Sequence, residues 1–185
     1  MTQPVLSLTE KQTFTALRSF LLAILPGGIE VVRGLDNRVA EPEGVDFVTM
    51  TPIMRERLEL NVTTYIDGAF LTPPVAGNRI DLQPTKVTIQ LDVHGPASSD
   101  NVQIISTLFR SGYASEYFAG LAVDVWPLYA SEPRQMPFHN GEQQVEERWS
   151  IDAVLQANAT VTTPQDFADQ LVANIKEVGA EYPIN

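Results

Sequence analysis

Lys86-Val87-Thr88-Ile89-Gln90-Leu91-Asp92-Val93-His94-Gly95-Pro96, residues 86–96, alternates without a fault as far as its glycine. Val87, Ile89, Leu91 and Val93 face one way. Lys86, Thr88, Gln90, Asp92 and His94 face the other. A period of two predicts a strand with one buried face and one wet or partner-facing side. Gly95-Pro96 breaks it. Ser98 or Ser99 then caps a helix with Val102, Ile105, Leu108 and Phe109 on one face, ending near Gly112. A half-wet strand beside an amphipathic helix is the signature of helices laid on a sheet.

Upstream, Ser7 and Glu10 have the spacing of a capping box, and Phe14, Leu17, Leu21 and Ile24 recur at three and four. This predicts a core-covering helix over about residues 8–25, stopped by Pro26-Gly27-Gly28. A short strand, Ile29 to Arg33, and a loop over residues 34–44 follow. Val45 to Met50 reads as a strand that stops or bulges at Pro52, and a second β run covers about Leu58 to Ile66. Gly68 to Pro84, with four prolines or glycines inside its first ten residues, reads as one long excursion. Its Phe70, Leu71 and Val75 are apolar side chains that a free loop would leave wet, which makes them interface candidates.

Downstream, an aromatic segment covers Tyr113 to Leu121, and Val123 to Tyr129 is a strand whose Pro127 marks an edge or bulge. Pro137 to Gly141 is a turn. Val145 to Leu155 is a long strand with Trp149, Ile151, Ala153 and Leu155 on one face. Thr163-Pro164-Gln165-Asp166 has the chemistry of a helix start, and Phe167, Leu171 and Ile175 supply its stripe. The whole predicts a single α+β domain over residues 1–185: a mostly antiparallel or mixed sheet flanked by about three helices.

The 185 residues suffice for one core, and 44% are hydrophobic. A net charge of −11 repels nucleic acid and argues against binding to the phosphate backbone. There is no cysteine, so disulfides, thiolate metal sites and cysteine nucleophiles are excluded together. The N-terminus has no basic cluster ahead of its apolar run, and Phe20 to Leu25 is too short to span a bilayer, so neither secretion nor a membrane is expected.

The catalytic inventory is empty. Glu41, Glu43 and Asp46 alternate with Pro42 and Gly44 and lack the spacing of a calcium loop, so they read as a solvated turn. His94 and His139 stand in no metal-binding frame. No G-x-S-x-G, P-loop or G-x-G-x-x-G is present. Glu146 and Glu147 point to opposite faces of a strand. No catalytic, cofactor or metal residue is therefore assigned. Arg55 and Arg57, set among Glu56 and Glu59, read either as cross-strand ion pairs or as contacts between subunits. Tyr113, Tyr117, Phe118 and Trp126 are core or interface aromatics.

Several of these pieces, in order, resemble the neck or tail terminator (tail completion) proteins of tailed bacteriophages. They are Gly34-x-Asp36-Asn37-Arg38 with Pro42 and the strand to Thr51-Pro52, the alternating Val87 to Gly95 leading into Ser98-Ser99-Asp100, Glu146-Glu147-Arg148-Trp149, and Thr163 to Phe167. The resemblance implies a structural virion protein that needs no cofactor. It implies a homo-oligomeric ring, commonly a hexamer, at the head-proximal end of the tail, assembled in the host cytoplasm. Such a ring stops growth of the tail-tube protein and docks to the head connector while DNA passes through its lumen. The acidic charge suits a conduit along which DNA slides. A head-closure or stopper ring one layer away is the neighbouring alternative. A small acidic hydrolase using Asp46, Glu147 and Asp152 is the alternative of another class, and would require those acids to meet in one pocket.

Overall fold

The alternating stretch lies inside a strand of 17 residues, and that strand pairs along its whole length with a second of 17. The computed structural model describes residues 3–35, 42–68, 71, 76–136, 138, 139 and 145–167. In chain order the elements are β1 (Val5–Leu6), α1 (Glu10–Ile24), β2 (Glu30–Arg33), β3 (Phe47–Arg57), β4 (Val62–Ile66), β5 (Asn78–His94), α2 (Ser98–Phe109), α3 (Gly112–Ala119), β6 (Val125–Ala130), β7 (Arg134–Gln135), β8 (Phe138–His139), β9 (Val145–Glu146) and β10 (Arg148–Pro164).

β5 and β10 run antiparallel from the pair Arg148–His94 to the pair Pro164–Asn78 with no slip. At about 3.4 Å per residue this two-stranded spine is about 55 Å long. On the far edge of β5, β3 pairs with the His94 end and β4 with the Asn78 end. On the far edge of β10 lie β7, β6 and then β1. β2 adds to β3 in parallel, so the eight-stranded sheet is mixed. β8 and β9 form a separate pair. The fold is α+β, with three helices among the described residues.

Among the described residues the helices cover one face of the spine at its His94 end only. Val87, Ile89, Leu91 and Val93 of β5 meet Ile151, Ala153, Leu155 and Ala157 of β10, and all eight are buried. Above them Phe20 of α1 is fully buried, with the rings of Phe109, Tyr117 and Phe118 at 5.5–5.8 Å. Burying one such ring contributes about 1.5–3 kcal/mol from area alone, and its edge-on neighbours add to that.

Several local expectations are corrected. The capping box is Thr9 with Gln12, not Ser7 with Glu10: Gln12 Oε1 accepts from the Thr9 N–H at 2.8 Å. Ser7 is held by the sheet instead, exchanging hydrogen bonds with Thr160. Ser98 and Ser99 lie within α2, and its N-cap is Ala97, whose N–H donates to the Asp46 carboxylate at 2.9 Å. Pro52 does not stop β3. The bulge expected there as the alternative is present, between Pro52 and Met54, and the strand runs on to Arg57. The second β run shrinks to β4. Residues 78–84 of the supposed excursion are strand. The strand expected from Val145 breaks at Glu147 and then runs beyond Leu155, to Pro164. Thr163-Pro164 therefore ends a strand, where a proline is tolerated, and the helix expected to follow it lies outside the described residues. Among the described residues the third helix is the aromatic segment, capped by Ser111, whose Oγ accepts from the Tyr113 N–H. Leu171 and Ile175 lie outside the described residues. Phe138–His139, expected in a turn, pairs with Val145–Glu146.

Gly95 joins β5 to α2 at φ +99°, and a Cβ there would sit 2.5 Å from the Val45 carbonyl oxygen. Only glycine fits such a junction.

Leu91 is fully buried at mid-spine, between Ile151 and Met50. Leu91→Ala should lower unfolding free energy by about 2–5 kcal/mol in urea titrations of the purified chain. A loss below about 1 kcal/mol would mean that the spine is not the centre of the core.

Candidate functional site

Among the described residues the spine outruns its helices. The last buried side chains are Pro84 on β5 and Ala157 on β10; beyond them lies an arm of four strands in the order β4-β5-β10-β1. Every residue of β4 is exposed, as are both residues of β1. Val62, Tyr65 and Ile66 on one edge, and Val5 and Leu6 on the other, leave aliphatic and aromatic surface in water. Leu60, in the turn before β4, is 77% exposed. Exposed apolar side chains gathered on two edges in this way make the arm the candidate interaction site.

The arm is nonetheless built, not frayed. Asp81 accepts from the Thr63 hydroxyl at 2.6 Å and from Arg79 at 3.0 Å, tying β4 to β5. The Thr63 hydrogen bond, then that from Arg79, holds the Asp81 carboxyl below its ordinary range. At the tip, the Gln165 N–H donates to the Gly77 carbonyl, and Phe167 meets Tyr65 edge-on at 6.3 Å.

At the arm's root a cleft of about 310 Å³ is lined by Leu6, Leu8, Arg55, Arg57, Gln83 and Val161 among others. The bulge in β3 sets Arg55 opposite Val87 and Arg57 opposite Thr85, so both arginines share the helix-side face. Arg55 pairs with Glu10 within the chain at 3.0 Å, and Arg33 pairs with the other oxygen of Glu10 while stacking over Phe14. Among the described residues Arg57 meets no carboxylate, and it is exposed. Of the loop residues singled out as interface candidates, Leu71 is exposed; Phe70 and Val75 lie outside the described residues.

The three acids of the hydrolase alternative do not converge. Asp46 is turned to the Ala97 N–H, and Asp152 pairs with Arg134 at 3.1 Å. Glu147 lines a different cleft, of about 490 Å³, with Val45, Phe47, Gly95, Pro96 and Glu146. Glu43 donates its own N–H to Glu30, and Glu41 lies outside the described residues. No three histidines or acids among the described residues are placed to hold a metal ion. The acids of residues 41–46 are thus partly explained: Asp46 orients a helix, where a carboxylate is favoured by the helix dipole.

Two features had no sequence signal. Asp92, on the polar side of β5, is buried, and Arg148 meets it at 2.9 Å from the opposite position's neighbour on β10. His94 lies flat on Phe47, ring centroids 4.4 Å apart. Burial, then the Arg148 charge, pushes the His94 imidazole below its ordinary value. Neither partner is local in sequence, so only the strand register reveals them.

The sequence model of a family described as phage neck terminator protein matches residues 11–181. The chain belongs to that family. No protein of curated description matches it. The family is one of structural proteins of the phage neck and tail. Its members' place is the virion's neck or tail, in contact with other head or tail proteins.

His94 gives a pH test of the body beneath this surface. Its folded pKa lies below the unfolded value near 6.5, so the unfolded chain takes up the proton first. The contribution is intact above that value and is lost as pH falls through it. The melting temperature should drop between pH 7 and pH 5.5, and His94→Gln should flatten that slope. An unchanged slope in the variant would assign the effect to other groups.

Proposed function

We propose that the protein assembles into a closed ring of identical subunits at the head-proximal end of the phage tail. The ring ends polymerisation of the tail tube and joins the tail to the head connector, and DNA passes through its lumen. A hexamer is the stoichiometry the family resemblance implies. One observation carries the reading: a braced sheet arm extends past its own core with apolar residues bare on both edges. A surface like that gains stability when a partner covers it.

Charge supports the conduit. Arg33, Arg55, Arg79, Lys86, Arg110, Arg134 and Arg148 all pair with acids of the same chain. Neutralised in this way, they leave an acidic protein, net −11, that gives phosphates little to hold. A basic lumen would bind DNA by counterion release and stall it; an acidic one repels it weakly across about a Debye length. The same pairing argues against a role as a nucleic-acid binder. No catalytic step is assigned: among the described residues Asp46 and Asp152 are engaged by the Ala97 N–H and by Arg134, and Glu147 lies in a separate cleft.

Native mass spectrometry of the purified chain, alone and with tail-tube protein, tests this. A closed ring gives a single integral multiple of 20.4 kDa that persists on dilution or is induced by tube ends. A ring that binds the connector and ignores the tube would move the protein to the adjacent stopper layer. A monomer under every condition would refute the proposal.

A further inference from the structure

The edges of the arm differ from the other strand edges of this sheet. β2 carries Glu30 and Arg33, β7 carries Arg134, and β6 carries Pro127 with a bulge beside it. The free stretch of β3 carries Pro52, a bulge, Arg55, Glu56 and Arg57. Charges, prolines and bulges of this kind are how sheets block unwanted strand addition. β4 has none of them. Val62-Thr63-Thr64-Tyr65-Ile66 is uncharged, free of proline and glycine, rich in β-branched residues and exposed throughout. Among the described residues no strand covers its outer edge. Such a strand is a template for pairing.

The other edge of the arm supplies a match. Each neighbour pair in β4-β5-β10-β1 is antiparallel, so strand directions alternate across the four. An even number of alternating strands tiles with itself. When a second copy is set beside the first by a rotation that keeps like faces together, its β1 meets β4 antiparallel. Thr64, Ile80, Thr162 and Val5 form one row across the arm, and Thr63, Asp81, Val161 and Leu6 the next. The two joined edges are different surfaces, which makes the contact heterologous, and heterologous contacts close into rings or run on as filaments. A two-fold contact of β4 with β4 would use up the edge and stop at a dimer.

The geometry points to β4 of one subunit pairing with β1 of the next, so that the arms of successive subunits join into one continuous sheet around the ring. This rests on the ring reading above and names the surface that builds it. Val5, Leu6, Val62 and Tyr65 are then buried in the assembly, and the outward N–H and C=O groups of β4 find partners. β1 is short, and Pro4 bounds it, so the junction is a brief one that forms with many copies in place.

The absence of cysteine gives a clean test. Residues opposite one another on antiparallel strands have Cα atoms about 4.5–5.5 Å apart, within disulfide reach. Val5→Cys is mixed with Thr63→Cys, Thr64→Cys or Tyr65→Cys, three positions being used because a ring's tilt staggers the register. Under mild oxidation at least one mixture should yield a covalent dimer, while neither variant alone does. The matching double variant should yield a ladder ending at the ring's mass. The inference fails if wild-type protein forms its ring yet no mixture cross-links, or if Thr64→Cys cross-links efficiently to itself. If wild-type protein forms no ring by native mass and no mixture cross-links, the ring reading fails first and this contact with it.

Discussion

Everything in this molecule hangs on one pairing, that of β5 with β10. Seventeen residues face seventeen without a bulge, and the constant register places every other element. A slip of one residue would turn Leu91, Ile151 and their neighbours to the wet face. The helices could then find no apolar floor. The same register carries the strands beyond the helices and so creates the arm. The body and the candidate assembly surface are therefore two ends of one ribbon, and a subunit that holds the body rigid also holds the arm in position.

The body was legible in the sequence because its chemistry is local. The alternation from Lys86 to His94 and the stripe of Phe14, Leu17 and Leu21 each mark one buried face, and burial of a single face leaves a period. Of the arm only β4 was legible, within the run read from Leu58 to Ile66; the outer halves of β5 and β10 were not, because their residues are half-buried or exposed and leave no clean period. Asn158 to Pro164 reads as polar and irregular, and Thr163-Pro164-Gln165-Asp166 carries good helix-start chemistry. A fully formed partner strand holds Thr163 and Pro164 extended against that local preference. Pro84 misled in the same way. It suggested a loop, yet it sits at the gap between β3 and β4 on the β5 edge, and its carbonyl accepts from the Leu58 N–H.

The candidate site was read in part. Arg55 and Arg57 were picked out by their acidic neighbours, and both line the arm's root. The partner of Arg55 is Glu10, 45 residues away, which no spacing rule could have suggested. Asp46 looked like one of a cluster of acids, and its work as a cap for α2 depends on Gly95 turning the chain back over it. What the sequence does show, once the sheet is known, is the lack of any charge in Val62 to Ile66. That lack is informative only for a strand known to lie at an edge.

In the proposed assembly the subunit divides into a self-sufficient body and an arm that its neighbours complete. Amide hydrogen exchange on the isolated chain and on purified particles measures that division directly. In both states the amides of residues 87–93 and 151–157 should exchange slowly, since they lie in the buried part of the spine. The amides of Val62 to Ile66 should exchange quickly in the isolated subunit and become strongly protected in the particle. Equal protection of β4 in the two states would contradict the account, because the arm would then need no neighbour to complete it.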